Sequence, residues 1–98
     1  MTDVKEIDRV RAHILVSGRV QGVGYRAFAA RVATQRALVG GVRNLDDGRV
    51  ELDVEGSRET IEALLVDLEV GPPAARVKAV TVEWNPGTER FIEFHIWY

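Results

Sequence analysis

One stretch of the chain carries residue types suited to holding an anion. In Gly18-Arg19-Val20-Gln21-Gly22-Val23-Gly24-Tyr25-Arg26, three glycines lead into an arginine and a run of apolar residues at helical spacing. Glycines let backbone N–H groups converge, a helix start leaves such donors without partners, and the helix dipole favours negative charge there. Arg26 in the first turn adds a permanent positive charge with a forked set of donors that matches phosphate or carboxylate oxygens. Gln21, Gly22, Val23, Gly24, Tyr25 and Arg26 are therefore the candidate phosphate-binding residues. The same residues also describe a tight loop whose glycines serve only the backbone and whose arginine faces water, and residue types alone leave both readings open.

Two better-known nucleotide templates do not fit. Gly22-x-Gly24-x-x-Ala27 spells the weak form of a dinucleotide fingerprint, with Asp46 and Asp47 about twenty residues further on. Those aspartates belong to a hairpin turn, however, and 98 residues cannot supply the large parallel sheet such a cofactor needs. The nucleotide P-loop fails as well, because no Gly-Lys-Ser/Thr follows.

The elements that must position the loop can be read from periodicity. Val10, Ala12, Ile14 and Val16 alternate with Arg11, His13 and Leu15, predicting a strand that ends at Gly18. A helix follows over Tyr25–Leu38. Val42–Leu45 and Arg49–Glu55 flank Asp46-Asp47-Gly48 as a hairpin. In the second of these strands Val50, Leu52 and Val54 face the core, while Arg49, Glu51, Asp53 and Glu55 face water. Ser57 caps a second helix with an Ile61, Leu64, Leu65 and Leu68 stripe, stopped by Gly71-Pro72-Pro73. Strands over Val77–Trp84 and Phe91–Trp97 complete the chain, and in the last one Ile92, Phe94 and Ile96 share a face. The order β-α-β-β-α-β plus a short terminal strand predicts the α+β class: a ferredoxin-like α/β sandwich, an antiparallel sheet with two helices on one face.

Composition narrows the partners. Thirteen Lys+Arg against fifteen Asp+Glu give a net charge of −2, so bulk charge offers no attraction to nucleic acid or anionic lipid. Without cysteine there is no disulfide, thiolate nucleophile or zinc ribbon, which fits a cytoplasmic protein. Residues 1–9 alternate charged and apolar residues without the apolar stretch of a signal peptide, and are expected to form a flexible leader before a single domain over residues 10–98. No apolar run reaches the length of a membrane span. His13 and His95 sit mid-strand without a second ligand at zinc spacing, so no metal site is expected. Glu51, Asp53 and Glu55 recur at about 6.8 Å along one strand face, too far apart to chelate one ion together, and read as a solvated face paired with Arg11 or His13.

The loop does not stand alone. Eighteen residues after Arg26 comes Asn44, in Val42-Arg43-Asn44-Leu45-Asp46-Asp47-Gly48-Arg49-Val50-Glu51. Both segments, in this order and spacing, resemble the acylphosphatase family. Gly56, Gly71-Pro72 and the terminal Phe94-His95-Ile96-Trp97-Tyr98 extend the resemblance over nearly the whole chain from about His13. It implies a monomeric enzyme that hydrolyses carboxyl-phosphate anhydrides to carboxylate and inorganic phosphate, without metal or cofactor. By the same resemblance Arg26 and the loop amides hold the phosphoryl group, and Asn44 orients the attacking water, so Arg26 and Asn44 are the candidate catalytic residues. Read without the loop, Asn44 is more readily an opener of the Asp46-Asp47-Gly48 turn than a water holder.

What the sequence lacks agrees with this chemistry. Val20 and Arg26 have the Cys-x5-Arg spacing of thiol phosphatases, but valine stands where the nucleophile would be, so water must attack directly. A carboxylate leaves readily, and positioning with electrostatic stabilisation can carry most of the catalysis. The competing reading is a non-catalytic ferredoxin-like module that binds a small phosphorylated or carboxylate ligand at the same loop. A related domain occurs inside carbamoyl-transferring hydrogenase maturation proteins, whose zinc-finger cysteines are missing here. Three positions depart from the family pattern. Ala37 replaces the glycine of Leu-Gly-Leu, Gly41 replaces the tryptophan of Gly-Trp-Val, and Trp97 replaces the arginine of a terminal Ile-Arg-Tyr. If Ala37 is left-handed it costs on the order of 1 kcal/mol relative to glycine, and Gly41 removes a large side chain beside the strand that carries Asn44.

Overall fold

Alternation of apolar and polar residues builds a sheet with one dry face. The computed structural model describes residues 9–97. The leader expected over residues 1–9 lies outside the described residues except for Arg9, which opens the first strand. The elements are β1 (Arg9–Arg19), α1 (Tyr25–Gln35), β2 (Val39–Asn44), β3 (Val50–Ser57), α2 (Arg58–Val70), β4 (Arg76–Pro86) and β5 (Phe94–Ile96). The sheet order is β4-β1-β3-β2-β5. The four longer strands pair antiparallel, and β5 adds to β2 in parallel. Because β3 lies between β1 and β2, and β1 between β3 and β4, each helix closes a split βαβ unit, and the fold is ferredoxin-like.

Ala12, Ile14 and Val16 of β1 and Val50, Leu52 and Val54 of β3 are fully buried against Ala29 and Ala33 of α1 and Ile61, Leu64 and Leu68 of α2. Each such Leu, Ile or Val contributes about 1.5–3 kcal/mol. The odd-numbered residues line the other face with charge. Arg11 pairs with Asp53 at 3.0 Å, and Glu51 takes both His13 at 2.6 Å and Arg43 at 2.7 Å. The hydrogen bond from His13, seconded by Arg43 against the opposing effect of burial, holds the Glu51 carboxyl below the usual range.

Glu55 corrects the expectation that this row faces water. It is fully buried, because the segment after β4 folds over it. Its carboxylate accepts from the N–H groups of Thr88 at 2.8 Å and Glu89 at 2.9 Å, from the Thr88 hydroxyl, and from Arg9 at 3.3 Å. Burial pushes its pKa up, but these donors outweigh it and hold the carboxyl below the usual range.

Boundaries differ where tertiary contacts act. β1 runs on past Gly18 to Arg19 through a register shift at Ser17/Gly18. A Cβ at Gly18 would lie 2.2 Å from the Arg76 carbonyl oxygen, so glycine there permits close approach rather than a stop. α1 ends at Gln35 instead of Leu38. Ala37 takes φ 59°, its N–H reaches Thr34 O at 2.9 Å, and the Leu38 N–H reaches Ala33 O at 2.9 Å. This is a Schellman end with alanine in the left-handed position, and Leu38 turns into the core. β5 is confined to three residues. Its ladder begins where the Gly40 N–H meets Glu93 O at 2.9 Å, which leaves Ile92 outside it and 86% exposed rather than beside Phe94 and Ile96.

Two departures from the family pattern explain each other. A Cβ at Gly41 would lie 2.1 Å from the Trp97 ring, so the indole of the terminal segment occupies the space that a larger residue in β2 would fill. The Trp97 N–H donates to Val42 O at 2.7 Å, fixing the segment against β2.

Candidate active site

The loop between β1 and α1 ends in a helix start that no side chain closes. Gly22 and Gly24 have φ 75° and 81°, and a Cβ at either would meet nothing within 4 Å, so the left-handed backbone rather than crowding requires glycine. Gly24 is the N-cap and provides no side-chain hydrogen bond, and the first turn holds no acidic residue. The Phe28 N–H bonds Gly24 O at 3.1 Å, which leaves the N–H groups of Tyr25 and Ala27 without an acceptor inside the helix.

These residues open on a cavity of about 280 Å³, several times the ~30 Å³ a water occupies in the liquid. Its walls are Gly22, Gly24, Tyr25, Arg26 and Ala27 from the loop and helix, Val20 from below, Asn44 from the end of β2 and Ile96 from β5. Val20, at the nucleophile position of the thiol-phosphatase spacing, is buried. The Tyr25 side chain points away. Its buried hydroxyl donates to Leu68 O at 2.7 Å, and burial raises its pKa well above the ordinary tyrosine range, so the hydroxyl is engaged away from the loop.

Asn44 reaches the cavity because β2 ends there in a tight turn. The Leu45 N–H bonds Arg49 O at 2.8 Å, and Asp47 accepts the Arg49 N–H at 3.1 Å. Hydrogen bonds from the Arg49 side chain also hold the exposed Asp47 carboxyl below its usual range. Asn44 Oδ1 is buried and accepts no hydrogen bond among the described residues. A buried acceptor left unpaired costs about 1–3 kcal/mol, a cost relieved when a bound molecule completes it.

Of the expected phosphate-binding residues, Gly22, Gly24, Tyr25 and Arg26 line the cavity together with Asn44, whereas Gln21 and Val23 do not. Val23 is half-buried against the core, and the Gln21 amide is turned to the hairpin. Arg19 is exposed and outside the lining. Ile96 was legible only as a strand residue; the parallel pairing of β5 with β2, which periodicity cannot give, brings it to the wall. Among the described residues no three His, Cys, Asp or Glu side chains are grouped to hold a metal ion, and no helix is long and apolar enough to cross a membrane.

A ferredoxin-like domain whose arginine-bearing helix start, without a side-chain cap, shares a cavity with a half-buried asparagine fits the class of small phosphate-handling proteins. The acylphosphatase family model matches residues 12–96, and the chain belongs to the acylphosphatase family. It is 54% identical over 86 residues to the acylphosphatase of Methylococcus capsulatus, covering 88% of this chain and 94% of that one. The crystal structure of acylphosphatase from Bacillus subtilis superimposes with a TM-score of 0.88 at 37% identity, covering 91% of this chain and 99% of that one. T. kodakarensis HypF contains a similar unit, with a TM-score of 0.78 at 39% identity, covering 89% of this chain but 12% of that one.

Proposed function

We propose that the protein hydrolyses acyl phosphates by direct attack of water in this cavity. The carrying observation is that Asn44, whose buried Oδ1 accepts no hydrogen bond among the described residues, lines the same cavity as Arg26 and the uncapped start of α1. The backbone N–H groups of the loop from Gly22 onward and the Arg26 guanidinium hold the phosphoryl oxygens, and their positive potential matches the charge that develops there during transfer. Asn44 accepts a hydrogen bond from water on its oxygen, and its neutrality spares the bound dianion a like charge.

The water oxygen forms the new bond to phosphorus while the bond from phosphorus to the acyl oxygen breaks. The electron pair leaves on the carboxylate, and the water proton goes to a phosphate oxygen, since an amide is no base. An acyl phosphate dianion and water thus give a carboxylate and dihydrogen phosphate. A carboxylate needs neither a general acid nor a Lewis acid to leave, so the reaction runs without metal or cofactor. A phosphate ester, whose alkoxide leaves badly, is a poor substrate. The cysteine-free composition suits a reducing cytoplasm, and the site is complete within one chain, as a monomer requires.

Hydrolysis of benzoyl phosphate, followed beside a phosphate ester with a chelator present and inorganic phosphate as competitor, tests this. Selective turnover of benzoyl phosphate that phosphate inhibits is expected. Phosphate binding with no turnover above the uncatalysed rate would instead make the domain a ligand-binding module.

A further inference from the structure

The proposed reaction joins two groups that reach the cavity from different parts of the chain: the phosphate cradle before α1 and Asn44 at the end of β2. Gln21 connects them. Its Nε2 donates to Leu45 O at 2.8 Å and to Arg49 O at 2.9 Å, the two residues that face each other across the neck of the hairpin. Both N–H bonds of the side-chain amide are thereby used. Leu45 directly follows Asn44, and Arg49 O also accepts the Leu45 N–H at 2.8 Å. The hairpin has its own closure in that bond and in the Asp47–Arg49 pair. What Gln21 adds is a link from the turn to the residue immediately before Gly22.

We propose that Gln21 is a positioning residue for hydrolysis, its side-chain amide setting the place of Asn44 relative to the phosphate cradle. This rests on the reading of Asn44 as the water holder. The glycines of the loop have no side chains with which to hold the hairpin, so the fixed point falls to their neighbour. A displacement of about 1 Å between nucleophile and phosphorus costs on the order of a hundredfold in rate. A side chain that limits such displacement acts on kcat and leaves phosphate capture by Arg26 and the loop amides alone.

The test is a double-mutant cycle of Gln21→Leu with Asn44→Ala, reading kcat for benzoyl phosphate, the inhibition constant of inorganic phosphate and Tm. Gln21→Leu alone is expected to lower kcat by about tenfold or more, with phosphate inhibition within about twofold. In the Asn44→Ala background the same substitution is expected to change kcat less than about twofold, because its target is gone. Gln21→Met, which keeps the length but lacks both donors and adds no charge, replaces Gln21→Leu if that variant does not fold. An equal loss in both backgrounds, a loss carried by phosphate affinity, or no loss overturns the proposal while the role of Asn44 stands. Unchanged kcat in Asn44→Ala itself overturns the water-holder reading and this inference with it.

Discussion

The two helices of this protein begin in opposite ways. At the start of α2, Ser57 is extended and its hydroxyl oxygen accepts the Thr60 N–H at 3.1 Å, with Glu59 in the first turn facing the positive end of the dipole. At the start of α1, Gly24 has no side chain to offer, no acid follows, and Arg26 places a positive charge where the dipole disfavours it. A glycine in place of a side-chain cap costs about a few tenths of a kcal/mol and an unfavourable terminal charge about 0.3–1 kcal/mol. The chain follows the rules for helix starts where the start need only be stable, and breaks them where it faces the cavity. Such a local violation suits the proposed anion binding at this helix start, because a cap or an acid would occupy the donors.

The sharpest way to break this comparison is to remove the charge that singles out α1. Arg26→Ala is expected to lower kcat/KM for benzoyl phosphate by about 10³ and to abolish inhibition by inorganic phosphate. Retained phosphate inhibition in that variant would mean that α1 opens on something other than the anion site. Asn44→Ala separates the two halves of the cavity. Its expected loss is about 10² in kcat with phosphate inhibition preserved, so a loss of both together would contradict the division of labour between them.

Glu55 extends the comparison to a third gathering of donors, this one filled by the chain's own anion. The N–H groups of Thr88 and Glu89 converge on its carboxylate, whereas Tyr25, Arg26 and Ala27 at the start of α1 border the cavity. Replacing it by Glu55→Gln turns an N–H toward these donors and leaves Arg9 without its partner, at an expected cost of about 3 kcal/mol in urea unfolding at pH 7. The pH dependence follows from its lowered pKa. The stability it confers is complete above the unfolded carboxyl value of about 4.3 and is lost as pH falls through the lower folded value. Wild type and variant should therefore converge in acid. Equal stability at pH 7 would show that the cluster is incidental.

How far these features were legible in the sequence depended on whether their cause was local. Ser57 and the Gly71 stop of α2 could be read directly, since caps act within a few residues, and so could the burial of Val50, Leu52 and Val54. Gly22, Gly24, Arg26 and Asn44 were legible because the family resemblance supplied the long-range relation that residue types could not. Glu55 read as a surface residue because its alternation is correct and the loop that covers it comes from more than thirty residues away. Trp97 and Gly41 each looked like a loss, and only the pairing of β5 with β2 makes them one exchange. The end of α1 needed Ala37 to accept a left-handed backbone, which its side chain disfavours and the burial of Leu38 enforces.

The smallest effect completes the comparison from the other side. Ser57→Ala removes the acceptor of the Thr60 N–H and the hydroxyl contact to Thr60 Oγ1 at 2.7 Å. The site is exposed, so water takes over part of both, and Glu59 still faces the dipole. The expected cost is about 1 kcal/mol, a fall of about 4–8 °C in Tm for a domain of this size. Because α2 starts outside the cavity lining, kcat and phosphate inhibition measured well below Tm should stay at their wild-type values. The two starts would then differ in what their donors serve: closing the one at α2 is worth stability and nothing in rate, whereas leaving the one at α1 open serves the proposed phosphate capture. A loss of turnover in Ser57→Ala as large as that in Asn44→Ala would erase that distinction.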